Sequence, residues 1–181
     1  MGFAVSAHAG WKHCPRCAGP LRVGPVDSGE QRLHCPACGL VLYDNPAPTA
    51  TAIVTRGDGA ILLTRRAIEP AIGMLDLPGG FIEAAEDPEQ AVKRELLEET
   101  GLEIELTGFV GAIPDRYGDG AHTLNLYYTA VVSGGREQAA SDVSQIVWLL
   151  PEELPARSQI AFANGADALE RVLGHPLRSD L

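Results

Sequence analysis

The sequence contains no apolar run approaching the roughly 18 residues of a membrane-crossing helix, so no membrane partner is expected. It is also short of positive charge: 14 Lys and Arg stand against 24 Asp and Glu, a net charge of −10. Nonspecific binding to nucleic acid or to an anionic membrane surface needs a basic face, so nucleic acid is not the expected partner. A small phosphorylated ligand remains compatible with this balance, because a bound divalent cation reverses the field around it. The opening stretch "MGFAVSAHAGWKH" has no basic start and no sustained apolar run. No signal peptide is expected there, the end reads as mobile, and the default location is cytoplasmic. No internal repeat is visible. With 45% hydrophobic and 21% charged residues the chain can build a core, and its 181 residues have room for one ordinary domain and a small one.

Cysteine is scarce too, and all four fall into two pairs, "CPRC" (Cys14, Cys17) and "CPAC" (Cys35, Cys38). This is the spacing of a zinc ribbon, in which each pair forms a knuckle and the four thiolates complete one tetrahedron. The alternatives are two disulfides in a secreted protein, or iron in place of zinc. A closed four-thiolate site is structural, so His13 and His34 are expected as exposed neighbours rather than ligands. Gly19 and Gly39 suit the turns after the knuckles, and the intervening residues can supply two short strands. With only Lys12, Arg16, Arg22 and Arg32 as cations, residues 1–45 are expected to be a stabilising or dimer-forming appendage that depends on its metal to fold.

A second domain is expected over 46–181, entered through the proline-punctuated linker "YDNPAPT". "TATAIVT" and "AILLTRRA" flank a Gly-Asp-Gly turn and read as a hairpin. "MLDLPGGFI" reads as a short strand broken at Pro78, and "LEIELTGFVG", "HTLNLYYTAVVS" and "SQIVWLL" as further strands. "QIAFANGADALERVL" reads as a closing helix interrupted by Gly165. Strands and a few helices without regular alternation point to an α+β or α/β/α sandwich on a mixed sheet.

Acidic charge is concentrated in one place. From Gly80 to Leu102 there are seven acids (Glu83, Glu86, Asp87, Glu89, Glu95, Glu98, Glu99) against Lys93 and Arg94, a local −7 + 2 = −5. Asp87 as N-cap, Pro88 at N1, Gln90 at N3 and Gly101 beyond the end delimit a helix over Pro88–Thr100. At about 100° per residue, Glu95, Glu98 and Glu99 share an arc of about 100° at the helix end where the dipole disfavours negative charge. An ordinary solvated face would intersperse lysines, as Glu89 and Lys93 do elsewhere on this helix. None follows the three glutamates, and Ala91 and Val92 continue their face as small apolar residues. A carboxylate cluster on an inward-packing face needs cations.

The spacing Gly80-x5-Glu86-x7-Arg94-Glu95-Leu96-x-Glu98-Glu99-x-Gly101-Leu102 resembles the Nudix box at every defining position. A chance match is on the order of 10⁻¹⁰ per starting point, far rarer than a lone glycine motif. The resemblance implies an α/β/α sandwich of the Nudix type and a loop–helix–loop catalytic element. It implies Glu98 and Glu99 as metal ligands, Glu95 as ligand or general base, and the Gly80 carbonyl as a further ligand. Arg94 would orient the carboxylates through Glu86. Ala85 departs from the family's usual glycine, with a small expected effect on the loop. Elementary chemistry agrees: Mg²⁺, or Mn²⁺ in its place, favours carboxylates and phosphate oxygens and assists attack of water on an otherwise inert diphosphate. Similar proteins often carry a basic acid three residues before a late-strand tryptophan. Here that place is Gln145, before Trp148, and the nearest acid is Asp142; Glu95 is the favoured base.

The order of ribbon and box resembles the NADH pyrophosphatase branch, but the array Ser-Gln-Pro-Trp-Pro-Phe-Pro-x-Ser that marks that branch is missing. Beyond the box, Arg116 is a possible phosphate contact and Tyr117, taken as a loop aromatic, a possible stacking partner for a base. One of Arg65 and Arg66 could also meet phosphate. The expected substrate is a nucleoside diphosphate linked to another group, such as ADP-ribose or a dinucleotide. A non-enzymatic ligand sensor and an RNA-directed decapping or binding protein are the alternatives. Homodimers are frequent among similar proteins.

Overall fold

The computed structural model of the chain describes residues 8, 10–27, 29–118 and 121–179. The N-terminal end read as mobile falls mostly on residues 1–7 and 9, outside the described set.

The cysteine-bearing part is a small antiparallel sheet, β1 (Arg22–Pro25), β2 (Gln31–His34) and β3 (Val41–Leu42), in the order β1-β2-β3. Each cysteine pair turns tightly: the Cys14 N–H donates to the Gly19 carbonyl at 2.8 Å and the Cys35 N–H to the Leu40 carbonyl at 2.7 Å. Gly39 takes the left-handed backbone of the second turn (φ 72°), as expected, but the first turn puts Ala18 there (φ 59°) instead of Gly19. Gly19 has a different reason to lack a side chain. A Cβ on it would lie 3.3 Å from the Cys17 sulfur. His13 is exposed and His34 bonds to the Arg32 carbonyl, so neither approaches the sulfurs as a ligand.

The larger sheet has seven strands. β4 (Ala47–Thr55) and β5 (Ile61–Arg66) form the expected hairpin, although β4 already begins inside the proline-rich linker. β6 (Leu75–Asp76) pairs with β5, whereas β7 (Gly79–Phe81) pairs with β4, because Pro78 breaks the segment and lets its two halves address different strands. Helix α1 (Pro88–Thr100) follows, then β8 (Leu102–Tyr117), β9 (Ala121–Gly135), β10 (Val143–Leu149) and α2 (Ala163–Leu173). The main order is β10-β5-β4-β9-β8, and β4 lies parallel to β9 while its other pairings are antiparallel. The sheet is therefore mixed.

Strand alternation divides the core into two layers. Ala50, Ala52 and Val54 of β4, with Leu62 of β5 and Tyr128 and Ala130 of β9, pack against Ala91, Val92 and Leu96 of α1. Ile53, Ile61, Leu63 and Tyr127 point the other way and pack against Ala166, Ala168 and Leu169 of α2. Two helices cover the two faces of one sheet, giving an α/β/α sandwich.

Two sequence expectations need correction. β8 does not stop near Gly111 but runs through Pro114 to Tyr117, kept in register with β9 by bulges that absorb its irregularities. Arg116 and Tyr117 are strand residues, not loop residues. Gly165 does not interrupt a helix, because α2 starts only at Ala163 and Gly165 lies in its first turn.

Helix α1 has the predicted ends. Asp87 and Gln90 form a reciprocal capping box, and Gly101 is left-handed (φ 70°). Its C-terminal carbonyls would be orphaned, and the chain after β9 returns to satisfy them. The N–H groups of Arg136, Gln138 and Ala140 donate to the carbonyls of Gly101, Thr100 and Glu99 at 3.0, 2.8 and 3.0 Å. Among the described residues no helix is long and apolar enough to cross a membrane.

Ala85, in the loop before α1, is held at φ 66° and is exposed. A left-handed backbone costs a residue with a Cβ roughly 1–2 kcal/mol, part of which glycine returns through its larger unfolded-state entropy. Ala85→Gly should therefore raise unfolding free energy by up to about 1 kcal/mol. Urea melts of the two proteins at equal m-value test this.

Candidate active site

Glu95 and Glu98 of α1 and Glu86 of the preceding loop share a single guanidinium. Arg94 holds Glu86 through two parallel bonds, Nε to Oε1 and Nη2 to Oε2, each 2.9 Å. Its Nη1 reaches Glu95 at 2.8 Å and Glu98 at 3.2 Å, and Nη2 also meets the Phe81 carbonyl at 3.1 Å. One cation thus ties the loop before the helix to two carboxylates on it, and their negative charge holds Arg94 firmly protonated. The bonds from Arg94 lower the Glu86 carboxyl below its ordinary value.

Glu99 has no such partner. It is buried, accepting among the described residues only the Gly79 N–H at 3.1 Å, and desolvation followed by the charge of Asp142 pushes its carboxyl up to about 9. Burial also raises Glu95, with Arg94 opposing and Glu98 and Asp142 reinforcing the shift. Glu98 is exposed. Gly80 runs along this cluster so closely that a Cβ on it would lie 2.6 Å from Glu95 Cδ, which explains glycine at that position. The residues the sequence singled out, Gly80, Glu86, Arg94, Glu95, Glu98 and Glu99, are brought together. Carboxylates and a carbonyl are the donor types that Mg²⁺ favours, but among the described residues the cysteines are the group whose ligand atoms already converge on one point.

Gly79 and Gly80, which lie against Glu99 and Glu95, also line a cavity, together with Asp142, Arg66, Arg116 and Tyr117, among others. Arg66 is anchored by Asp76 (3.1 Å) and the Pro70 carbonyl (2.7 Å), and its guanidinium lies 5.0 Å over the Phe162 ring. Burial holds the Asp76 carboxyl up at about 6 in spite of this arginine. Arg65 points elsewhere, to Gln145 and the Gly73 carbonyl. Gln145 is therefore engaged away from the cavity, and the acid that lines it is Asp142. The segment 136–140, bonded to the end of α1, delivers it there.

Sequence reasoning missed Asp76, Asp115, Phe162 and Asn164, all of which line the cavity. They come from separate elements with no shared motif. The one local signal was Asp-Arg-Tyr at 115–117, of which only the second and third residues were singled out.

In the small sheet the four sulfurs lie within 4.8 Å of one another, with Cys14–Cys38 at 3.6 Å and Cys17–Cys35 at 3.5 Å. Sulfurs bound tetrahedrally at about 2.3 Å would be about 3.8 Å apart, so the cluster fits a metal ion. No ring nitrogen or carboxylate joins that set among the described residues.

A profile of the NUDIX domain matches residues 45–169. The chain belongs to the Nudix family. The match spans α1, every strand of the larger sheet and α2 as far as Leu169. Among Nudix relatives, the NAD-capped RNA hydrolase NudC of Stutzerimonas stutzeri is 32% identical over 97% of this chain and 61% of its own length. The chain thus spans less than two thirds of that relative. The ADP-ribose pyrophosphatase of Methanocaldococcus jannaschii is 36% identical over 63% of this chain and 68% of its own length. A crystal structure of a NUDIX hydrolase from Nitrosomonas europaea superposes with a TM-score of 0.73 at 24% identity, covering 92% of this chain and 95% of that one, a likeness of fold.

The buried Glu99 has a consequence for stability. Its pKa is raised from 4.5 to about 9, so the stabilisation it contributes is fully present below about pH 4.5 and is lost as pH rises through about 9. Asp76, raised to about 6, acts with the same sign at lower pH. Without added divalent metal, stability should fall between pH 5 and 9, and Glu99→Gln should flatten that slope. Denaturant melts of both proteins across this range check it; parallel slopes would refute the assignment.

Proposed function

We propose that this Nudix protein hydrolyses the pyrophosphate bond of a nucleoside diphosphate linked to a second group, as in ADP-ribose or a dinucleotide. The observation that carries this is the set of carboxylates Glu95, Glu98 and Glu99 on the helix packed against Gly79 and Gly80, two residues that with Asp142, Arg66 and Arg116 line a cavity. A diphosphate repels acids, so both sets of charge have a use only if a divalent cation lies between substrate and cluster.

Glu98, Glu99 and the Gly80 carbonyl, with Glu95, are the groups we assign to hold Mg²⁺ or Mn²⁺. When bound, the cation would neutralise phosphate charge and acidify a water. The protein's own residues do the rest. Arg94 fixes Glu95 and Glu98 and keeps Glu86 and the loop in place. Glu95, raised by burial yet held by Arg94, is assigned as the proton acceptor from the attacking water. Asp142 is the alternative acceptor, delivered from the segment after β9. Arg66, immobilised by Asp76 and Phe162, and Arg116 offset charge on the departing phosphate.

The relatives support the substrate class: one is named an ADP-ribose pyrophosphatase and another an NAD-capped RNA hydrolase. The match over 97% of this chain to the latter favours a second substrate, the NAD-type end of an RNA, in which the scissile bond is chemically the same. We further propose that residues 1–45 form a separate metal-dependent unit holding Zn²⁺ through Cys14, Cys17, Cys35 and Cys38. Four thiolates of that kind persist in a reducing compartment, in keeping with a cytoplasmic location.

Turnover with Mg²⁺ against ADP-ribose, NAD, NADH, FAD, diadenosine polyphosphates, nucleotide sugars and an NAD-capped oligonucleotide, with products identified by mass, tests the substrate class. The expected product pair is a nucleoside monophosphate and a second phosphate ester. Glu98→Gln should leave the melting temperature intact and lower kcat by about 10³-fold or more; wild-type rates in that variant would sink the metal-site assignment. Removal of the thiolate metal with a chelator should lower the melting temperature and free four thiols to titration. A folded metal-free protein with all four thiols reactive and an unchanged melting temperature would rule out the structural zinc.

A further inference from the structure

The cavity beside the Nudix box has a second polar end that the hydrolytic residues do not use. Asp115 of β8, Tyr127 of β9 and Asn164 of α2 all line it. The Asp115 carboxylate accepts the N–H groups of Arg116 (2.7 Å) and Asn164 (3.3 Å), and the Asn164 side-chain oxygen accepts the Gly165 N–H at 2.9 Å. These bonds tie β8 to the first turn of α2. They account for the oxygens, and they leave two donors over.

Asn164 is 6% exposed and Tyr127 3% exposed, yet neither the Asn164 amide nitrogen nor the Tyr127 hydroxyl has a hydrogen-bond partner among the described residues. The residues are buried but these two atoms are accessible, since Arg32 Nε is the one buried side-chain nitrogen or oxygen without a partner among the described residues; both residues line the cavity, where a ligand can meet the free donors. If the three residues served only to start α2, an apolar ring and a shorter cap would suffice. The neighbouring Asn125 shows the contrast: its amide donates to the Ile113 carbonyl and to Thr123, both at 3.1 Å, and its oxygen accepts from Thr49. That side chain is fully used by the protein itself.

Aromatic surface adjoins these donors. Tyr117 and Phe162 lie 5.6 Å apart at an angle of 32°, and Phe81 meets Tyr117 edge-on at 5.5 Å. Arg66 braces the group by lying over Phe162 and reaching the Tyr117 hydroxyl at 3.4 Å. A flat, braced aromatic wall beside a fixed acceptor and two free donors matches a planar heterocycle that carries a donor next to an acceptor.

We propose that Asp115, Asn164 and Tyr127 read the hydrogen-bonding edge of the substrate's nucleobase, with the base laid against Tyr117 and Phe162. Asp115 takes a ring N–H or an exocyclic amino group. Asn164 and Tyr127 donate to a ring nitrogen or carbonyl. These are specificity-determining contacts, distinct from the hydrolytic groups around Glu95. The proposal rests on the nucleoside-diphosphate substrate class proposed above.

Two measurements separate its failure from the failure of that broader proposal. In the first, binding of AMP, GMP, CMP and UMP is compared with ribose 5-phosphate by titration calorimetry, which needs no turnover. The best nucleotide should bind at least about 10-fold more tightly than ribose 5-phosphate, and Tyr127→Phe and Asn164→Asp should each remove most of that advantage. Tyr127→Phe deletes only the hydroxyl and keeps the ring in the core, so a folding defect is not its expected outcome. In the second, kcat/KM is measured for ADP-ribose and for a diphosphate joining two riboses without a base. The wild-type ratio should be on the order of 100, and the two variants should lower it about 10-fold or more.

A wild-type protein that binds ribose 5-phosphate as tightly as every nucleotide, or variants that keep the wild-type ratio, would overturn the base site. Hydrolysis of neither diphosphate, with nucleotide binding still weakened by both substitutions, would remove the hydrolase and leave the base site standing.

Discussion

Carboxylates cannot be gathered in a folded protein without something positive among them, and this chain supplies only one guanidinium for the purpose. Arg94 is spent on Glu86, Glu95 and Glu98, which leaves Glu99 and Asp142 facing each other's charge across a partly desolvated space. The surroundings follow from that shortage. Gly79 donates its backbone N–H to Glu99, Gly80 gives up a side chain so that Glu95 can lie against it, and Ala91 and Val92 on the same helical face are small enough to draw the helix onto the sheet.

The fold keeps this cluster and the cavity in one frame by using strands that serve both. β4 pairs with β7, which carries Gly79 and Gly80, and with β9, which carries Tyr127. β8 brings Asp115, Arg116 and Tyr117 to the cavity, and α2, starting against Asp115, brings Asn164. The two helices lie on opposite faces of the sheet; α1 places its acidic residues against Gly79 and Gly80, which line the cavity, and α2 places Asn164 in the lining itself. Exchanging the residues of the α2 side could therefore alter what is recognised without disturbing the layer that holds the carboxylates.

What was readable from sequence was local. The α1 boundaries were set by Asp87, Pro88, Gln90 and Gly101, whose capping chemistry depends on a few consecutive residues, and they match the structure. The cysteine pairs and the box were legible for the same reason: their spacing is fixed within one turn or within one continuous strand–loop–helix segment. β8 was cut short because Gly108, Gly111 and Pro114 look like strand breakers, and only pairing with β9 through bulges shows that they are tolerated. Asp142 could be named only as the nearest acid, since its position depends on the backbone bonds of residues 136–140 to the end of α1. Asp115 and Asn164 were invisible for the most general reason: 49 residues separate them, and nothing short of the tertiary fold brings them to 3.3 Å.

The parallel pairing of β4 with β9 also governs how the chain must come together. Ala47 aligns with Thr123, 76 residues later, so the centre of the sheet has no partner until most of the chain is available. The hairpin of β4 and β5 and the capped α1 can form early from neighbouring residues, but they have little to close upon before β9 arrives. Contacts of such long sequence separation slow folding and leave a β-rich edge waiting during synthesis. Residues 22–42, whose small sheet involves only neighbours, are free of this constraint.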